Sequence, residues 1–515
     1  MPSNPTTALP PELQAHMEKI RERALAEGLD FFDVVYEVVD FDTMNRLAAF
    51  GGFPVRYPHW RWGMEYESAR KRDAYGLGRI YEMVINNDPC YAYLQESNAV
   101  IDQKLVMTHV FGHADFFKCN YWFSKTDRKM MDRMANHATR VRRHIEKVGH
   151  NAVEQFLDVC LSIEHLIDPH SPFVKRDDVS PRVRDDDDSP FIPDRFRARD
   201  YMDPYINPAG AIEAQRLEHE RRQREDQGKT PRKPTRDVLL FLLQHAPLSP
   251  WQHDILSIIR DEAYYFAPQA MTKIMNEGWA SYWHTKLMTE RFAEPSEIID
   301  YADKHAGVVF TPPGGFNPYK IGLELFRDIE RRWNTGQHGH AWESLDTLGA
   351  RSTWNDHSMK GREKIFEVRR VYNDVAFIDE FLTEDFCDEH KLFRARQDPS
   401  SGQTRIASRD FKQIKSTLLQ RLTNAGQPFI HVADANYLNR GELYLAHQWT
   451  GAEIDVQRAL SALRNLRILW GRPVHLQARI DDDMWLFSVA TPDPATPPKR
   501  EKIKDGTPSP AHQIT

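Results

Sequence analysis

Val106-Met-Thr-His109-Val-Phe-Gly-His113-Ala-Asp-Phe-Phe117 carries apolar residues all round a helical repeat and sets two histidines four residues apart. On a helix that spacing puts both imidazoles on one face, one turn apart, the arrangement by which H-E-x-x-H proteins hold zinc. The pair alone does not specify a metal. With 22 histidines among 515 residues, about one pair arises by chance at any chosen spacing, so a chance pair in a helical core is the better explanation of the pair taken alone.

A second segment adds weight: Met271-Thr-Lys-Ile-Met-Asn276-Glu277-Gly-Trp-Ala-Ser-Tyr-Trp-His284. Glu277 sits in an otherwise apolar and aromatic helix, where a carboxylate without a partner is costly to bury. A metal held by His109 and His113 is one partner, and two histidines with a glutamate leave a zinc coordination position open. A buried ion pair or an exposed helix face is the other explanation. His284 lies seven residues on, ~10.5 Å along the axis, so it and Asn276 are expected to support the ligands from outside rather than touch the ion. Where H-E-x-x-H enzymes carry their base, this chain has Val110. Glu262, Glu164 and Asp115 are the candidate replacements, though each reads more readily as a helix-face or salt-bridge residue. His305 and Tyr319 are candidates to polarise a substrate oxygen. Tyr319 follows Thr311-Pro-Pro-Gly-Gly-Phe-Asn317-Pro318, a turn with Asn317 as the predicted N-cap of a helix and Pro318 at its first position. A rigid structural turn explains that stretch as well.

The composition, 41% hydrophobic and 28% charged, is that of a globular protein with a sizeable core. A net charge of −7 argues against a general binder of nucleic acid or anionic membrane. The four cysteines form no C-x-x-C pair and read as reduced thiols. No signal pattern opens the chain and no apolar run reaches the ~18 residues of a membrane span. The expected location is cytoplasmic.

Helical periodicity predicts helices over 13–26, 69–85, 101–117, 128–148, 151–167, 251–266, 270–288, 295–301 and 319–333. Between them, residues 168–236 hold five prolines by position 193, the acidic run 185–188 and the charged stretch 213–229, and read as a surface insertion. Beyond 360 the pattern mixes helices (363–381, 409–423, 456–470) with short strands (429–433, 441–447, 473–480, 484–490). The expected organisation is an N-terminal segment 1–30, a helical body 31–345, an α+β module 360–490 and a disordered tail 491–515.

Five segments carry a resemblance. Phe53-Pro-Val-Arg-Tyr-Pro-His-Trp-Arg-Trp-Gly-Met-Glu-Tyr-Glu67, Tyr81-Glu-Met-Val-Ile-Asn-Asn87, His109 to Phe117, Asn276 to His284 and Asn317-Pro-Tyr-Lys-Ile-Gly322 are together similar to the SpoVR (stage V sporulation protein R) family, from about Phe32 to Ala490. The resemblance implies a role in late sporulation, the spore cortex and stationary-phase stress, with a PrkA-type serine protein kinase and its conserved companion protein as partners. It implies no catalytic residues. Separately, His109-x-x-x-His113 with Asn276-Glu277-Gly-Trp-Ala resembles the two ligand helices of thermolysin-like metallopeptidases, which implies a mainly α, zincin-like body. The expected function is a regulator that keeps a zinc site, the missing base favouring this. The alternative is an active metal-dependent hydrolase of peptides or amides, favoured by the aromatic surroundings of Glu277.

Overall fold

The computed structural model describes residues 9–74, 82–174, 193–196, 202–227, 229–311, 315–397 and 404–503. The acidic run 185–188, residues 312–314 of the Gly-rich turn and the last part of the tail, 504–515, lie outside the described residues. The chain is mainly helical and divides into two compact units, each built from two stretches: Met1–Gln155 with Asp261–Gln427, and Phe156–Arg260 with Pro428–Thr515. The insertion anticipated at 168–236 is therefore part of a longer excursion that belongs with the C-terminal sheet. Residues 361–427, which periodicity groups with that sheet, fall in the first unit. The helices Gly361–Val371 and Asp374–Phe381 bury Ile365, Val368, Phe377 and Ile378 in the first unit's core. Periodicity reports local structure and is blind to which core a helix joins.

After the helix Pro11–Ala26, the first unit forms a small sheet of β1 (Val34–Val39), β2 (Glu82–Ile85) and β3 (Cys90–Gln95), in the order β1-β3-β2. β3 runs parallel to β1 and antiparallel to β2. This corrects the helix predicted over 69–85: the helix Trp60–Ala74 ends early and Glu82–Ile85 pairs with β3 instead. Four residues are too few for alternation to show, and pairing overrides local preference. A hairpin, β4 (Arg394–Gln397) with β5 (Thr404–Ser408), stands apart from this sheet.

β3 leads into the helix Val100–Cys119, which carries both histidines and buries every residue from Ile101 to Phe117. A helix apolar all round must be enclosed on all sides. The helix Lys273–Leu287, which carries Glu277, and the helix Pro318–Thr335 supply part of that enclosure. Contact is close because glycines face backbone. A Cβ on Gly112 would lie 2.7 Å from Ala280 Cα, and one on Gly278 would lie 2.8 Å from Leu323 N. Asn317 caps Pro318–Thr335 as the sequence predicts, accepting from Tyr319 N at 2.9 Å. His305 lies inside a helix, Ile298–Val309, longer than the 295–301 predicted.

In the second unit the charged helix Ala209–Gln227 exposes most of its surface through Leu217, with Arg216 bridging Glu213 and Glu220. The sheet comprises β6 (Phe429–Tyr437), β7 (Glu442–Gln448), β8 (Val474–Ile480), β9 (Asp483–Val489) and β10 (Lys499–Ile503), in the order β10-β9-β8-β7-β6. β7 and β8 are parallel, as a crossover through the helix Val456–Trp470 requires, and the other pairs are antiparallel. β10 corrects the expectation of disorder from 491 onward. Its Lys-Arg-Glu-Lys-Ile sequence carries no burial signal, but its backbone completes the β9 ladder and Arg500 sits 3.9 Å over the Trp485 ring. Among the described residues no helix is long and apolar enough to cross a membrane.

Candidate metal centre

His109 Nε2 and His113 Nε2 face the same oxygen, Glu277 Oε2, at 3.6 and 3.5 Å. These separations are long for hydrogen bonds. They match the ~3.3–3.5 Å expected between ligands held 2.0–2.2 Å from one tetrahedral ion. Ligand atoms of the three residues all lie within 4.8 Å of one another. Glu277 Oε2 is shielded from solvent and accepts no hydrogen bond, which leaves a buried carboxylate oxygen facing two imidazole edges. The donor set and this oxygen fit a zinc ion.

The far side of each ring fixes its proton. His113 Nδ1 lies 2.9 Å from Asn276 Oδ1, an acceptor only, so it carries the hydrogen and leaves the Nε2 lone pair toward Glu277. His109 Nδ1 lies 2.8 Å from His284 Nδ1, and His284 Nε2 lies 3.0 Å from His305 Nδ1. With His109 Nδ1–H donating to His284 and His284 Nε2–H donating to His305, the His109 Nε2 lone pair also faces Glu277. Outer partners of this kind orient ligating histidines. Asn276 and His284 thus stand behind the ligand rings.

Burial pushes the Glu277 carboxyl up, and imidazoles protonated toward it hold it well below the usual carboxylate range; with both Nε2 lone pairs turned to it instead, a cation between them would have to supply that stabilisation. Burial pushes His284 well below its ordinary value, with His109 and His305 adding to the effect. His305 is lowered by burial and by Arg327.

The remaining predicted residues are distributed as follows. Tyr319 stacks against the His109 ring, centroids 6.2 Å apart. His305 stands behind His284 and stacks on Tyr301 at 5.9 Å, two rings removed from Glu277. Glu262 is held by Arg56 at 3.0 Å and His137 at 3.1 Å, in a separate cluster. Asp115 spends its oxygens on Asp30 N and Trp279 Nε1, both at 2.7 Å, with Arg369 at 3.4 Å. Glu164 belongs to the second unit. Glu262 and Asp115 are thus engaged by other partners within the first unit, and Val110 is fully buried in the core.

Asp374 is a residue the sequence gives no reason to select. Its oxygens accept from Ile274 N and Met275 N at 2.8 and 2.9 Å, capping the Glu277 helix from a segment a hundred residues away. Burial pushes its carboxyl up to about 7, against the lowering by those N–H donors. The folded-state value thus exceeds the unfolded one, ~3.9. Between about pH 4 and 7 the folded chain binds a proton the unfolded chain does not, so this group's contribution to stability falls as pH rises through that window. Asp374→Asn should remove a slope of at most about 1.4 kcal/mol per pH unit. Urea midpoints of the two proteins at pH 5 and pH 8 measure it, and equal slopes would refute it.

The family description "SpoVR like protein" matches residues 8–427. The chain belongs to the SpoVR family. It is 28% identical over 507 residues to "Uncharacterized protein YcgB" of Escherichia coli (strain K12), covering 91% of this chain and 92% of that one. No solved structure matches. The SpoVR match takes in both helices that carry His109, His113 and Glu277 and ends where the first unit ends, so the C-terminal sheet lies beyond it.

Proposed function

We propose that this SpoVR-family chain is a zinc-binding regulatory protein, with His109, His113 and Glu277 as the ligands. The observation that carries this is the buried Glu277 oxygen facing two imidazole nitrogens at ligand-to-ligand spacing. A zinc ion there supplies Lewis acidity at an open position. Asn276 and His284 keep both ligand nitrogens unprotonated, and the apolar helices around them exclude water. The small mixed sheet leading into the two-histidine helix, with a glutamate on a later helix, supports a zincin-like body. Fold likeness of this kind argues by analogy.

A regulatory role is favoured because Glu262 and Asp115 are committed to other partners and Val110 replaces the usual base. Tyr319 beside His109, with a coordination position open, favours the second reading, a hydrolase of peptides or amides. Family resemblance supports a cytoplasmic role in sporulation or stress-linked envelope processes with a PrkA-type serine protein kinase and its companion.

Purified protein should hold about one zinc per chain, and His113→Ala about none. Asn276→Leu should weaken binding about 10–100-fold. Elemental analysis and competition with a chelating dye measure both. Wild-type protein that stays metal-free after zinc supplementation would end the proposal.

A further inference from the structure

The sheet of the second unit has one apolar and one polar face. Val474, Leu476 and Ala478 on β8 and Phe487 and Val489 on β9 are buried, and the helix Val456–Trp470 packs on these two strands. Side chains alternate along a strand, so the opposite face carries His475 and Gln477 from β8, Leu486 and Ser488 from β9, and Glu442 and Tyr444 from β7. In register, His475 pairs with Ser488 on one side and with Tyr444 on the other, two residues from Glu442.

Three of these side chains are in line. Ser488 Oγ lies 2.8 Å from His475 Nδ1, and His475 Nε2 lies 2.8 Å from Glu442 Oε2. A glutamate carboxylate only accepts, so Nε2 carries the hydrogen. Neutral imidazole then has its lone pair on Nδ1, and the Ser488 hydroxyl is the donor. The Tyr437 ring lies 4.8 Å from His475, tilted by 54°, and Arg440 stands 3.8 Å from the other side of the Glu442 carboxylate. His475 and Glu442 side chains are 10% and 11% exposed, while Ser488 is only half-buried. Ser488 is thus the partly exposed end of the line, and the groups behind it are shielded.

We propose that Ser488, His475 and Glu442 form a serine nucleophile site for acyl transfer from carboxylic esters. A nucleophile, a base within hydrogen-bond reach and a third group orienting the base define such a site by geometry. The Ser488 Oγ–carbon bond forms as its proton passes to His475 Nδ1. The ester C–O bond then breaks, and the leaving alkoxide takes that proton. Water completes the cycle by the same route, giving up a proton to Nδ1, releasing the acid and restoring the hydroxyl. Glu442 holds Nε2–H throughout.

Strand position selects esters over amides. β9 has neighbours on both sides, β8 and β10, so the backbone N–H of Ser488 belongs to the ladder and is not free to receive an oxyanion. Lys499, the cross-strand partner of Ser488 on β10, has its ammonium paired with Glu501. With the Ser488 N–H in the ladder and that ammonium held by a carboxylate, turnover is confined to esters with a good leaving group.

The test is labelling of the full-length protein with a fluorophosphonate, with EDTA present so that the result is independent of the zinc site. The expected adduct maps by peptide mass spectrometry to Ser488. It should be absent from Ser488→Ala and form about 10²–10⁴-fold more slowly in His475→Ala. Folded wild-type protein that takes no label, or takes it only on another residue, overturns the proposal whether or not the variants fold. A His475→Ala rate equal to wild type overturns it too.

Discussion

Glu262→Ala should lose about 3–5 kcal/mol of stability, one of the two largest effects expected in this molecule. Arg56 and Glu262 have side chains only 5% and 6% exposed and meet at 3.0 Å. His137 Nδ1 approaches the other carboxylate oxygen at 3.1 Å, and the Arg56 guanidinium lies 4.5 Å from the Trp62 ring. Removing the carboxylate leaves a guanidinium enclosed by aromatic rings with no counter-charge, and that uncompensated charge supplies most of the loss. A double change, Arg56→Met with Glu262→Leu, removes both charges and should recover much of it, because an apolar pair of similar volume needs no compensation. Urea unfolding followed by tryptophan fluorescence measures all three proteins. A Glu262→Ala loss within about 0.5 kcal/mol would mean that water reaches the pair and the cluster is not buried as described.

Gly322→Ala should cost about 3 kcal/mol, the upper end for an overpacked core. In an open helix the same change gains about 0.5–1 kcal/mol by limiting the unfolded chain. At Gly322 the added Cβ would run into Ile274 O and lie 2.6 Å from Gly278 Cα. Both are backbone atoms and cannot swing aside, so the two helices must separate. Because Gly278 follows Glu277, separation would also draw the carboxylate from the histidines and weaken the proposed zinc site. Gly307, inside Ile298–Val309 with nothing near its missing Cβ, is the matched control and should be neutral or stabilised as Ala. Equal behaviour at 307 and 322 would mean that the helices do not touch at glycine.

What the sequence made legible follows from the range of each signal. The long helices at 100–119 and 273–287 carry enough periodic residues to be read within a few positions, and so does the helix Val456–Trp470. His109, His113 and Glu277 were identifiable because a lone carboxylate among aromatics needs a partner, and the structure brings the three together. Asn276 behind His113 was legible from its place beside Glu277. Asp374 was not, since it falls inside the helix predicted over 363–381, which the structure breaks at Asn373, and nothing local points to Ile274. β1 to β3 escaped because short strands with few exposed positions do not alternate; in β3 five of the six residues are buried. The Ser488–His475–Glu442 line escaped because each residue is unremarkable on its own strand, and only register sets them side by side.

The discontinuous first unit dictates an order of events on the ribosome. His113 and Asn276 are 163 residues apart, with the intervening stretch 156–260 belonging to the other unit. At about 5–20 residues per second, roughly 8–30 s separate the synthesis of the helices that carry His113 and Asn276. During that interval the helix from Ile101 to Phe117, which the finished protein encloses on every side, has no helix 273–287 or 318–335 to cover it. Nascent chains stalled near residue 265 should therefore bind a chaperone that recognises apolar segments, and chains stalled after the first unit is complete should release it.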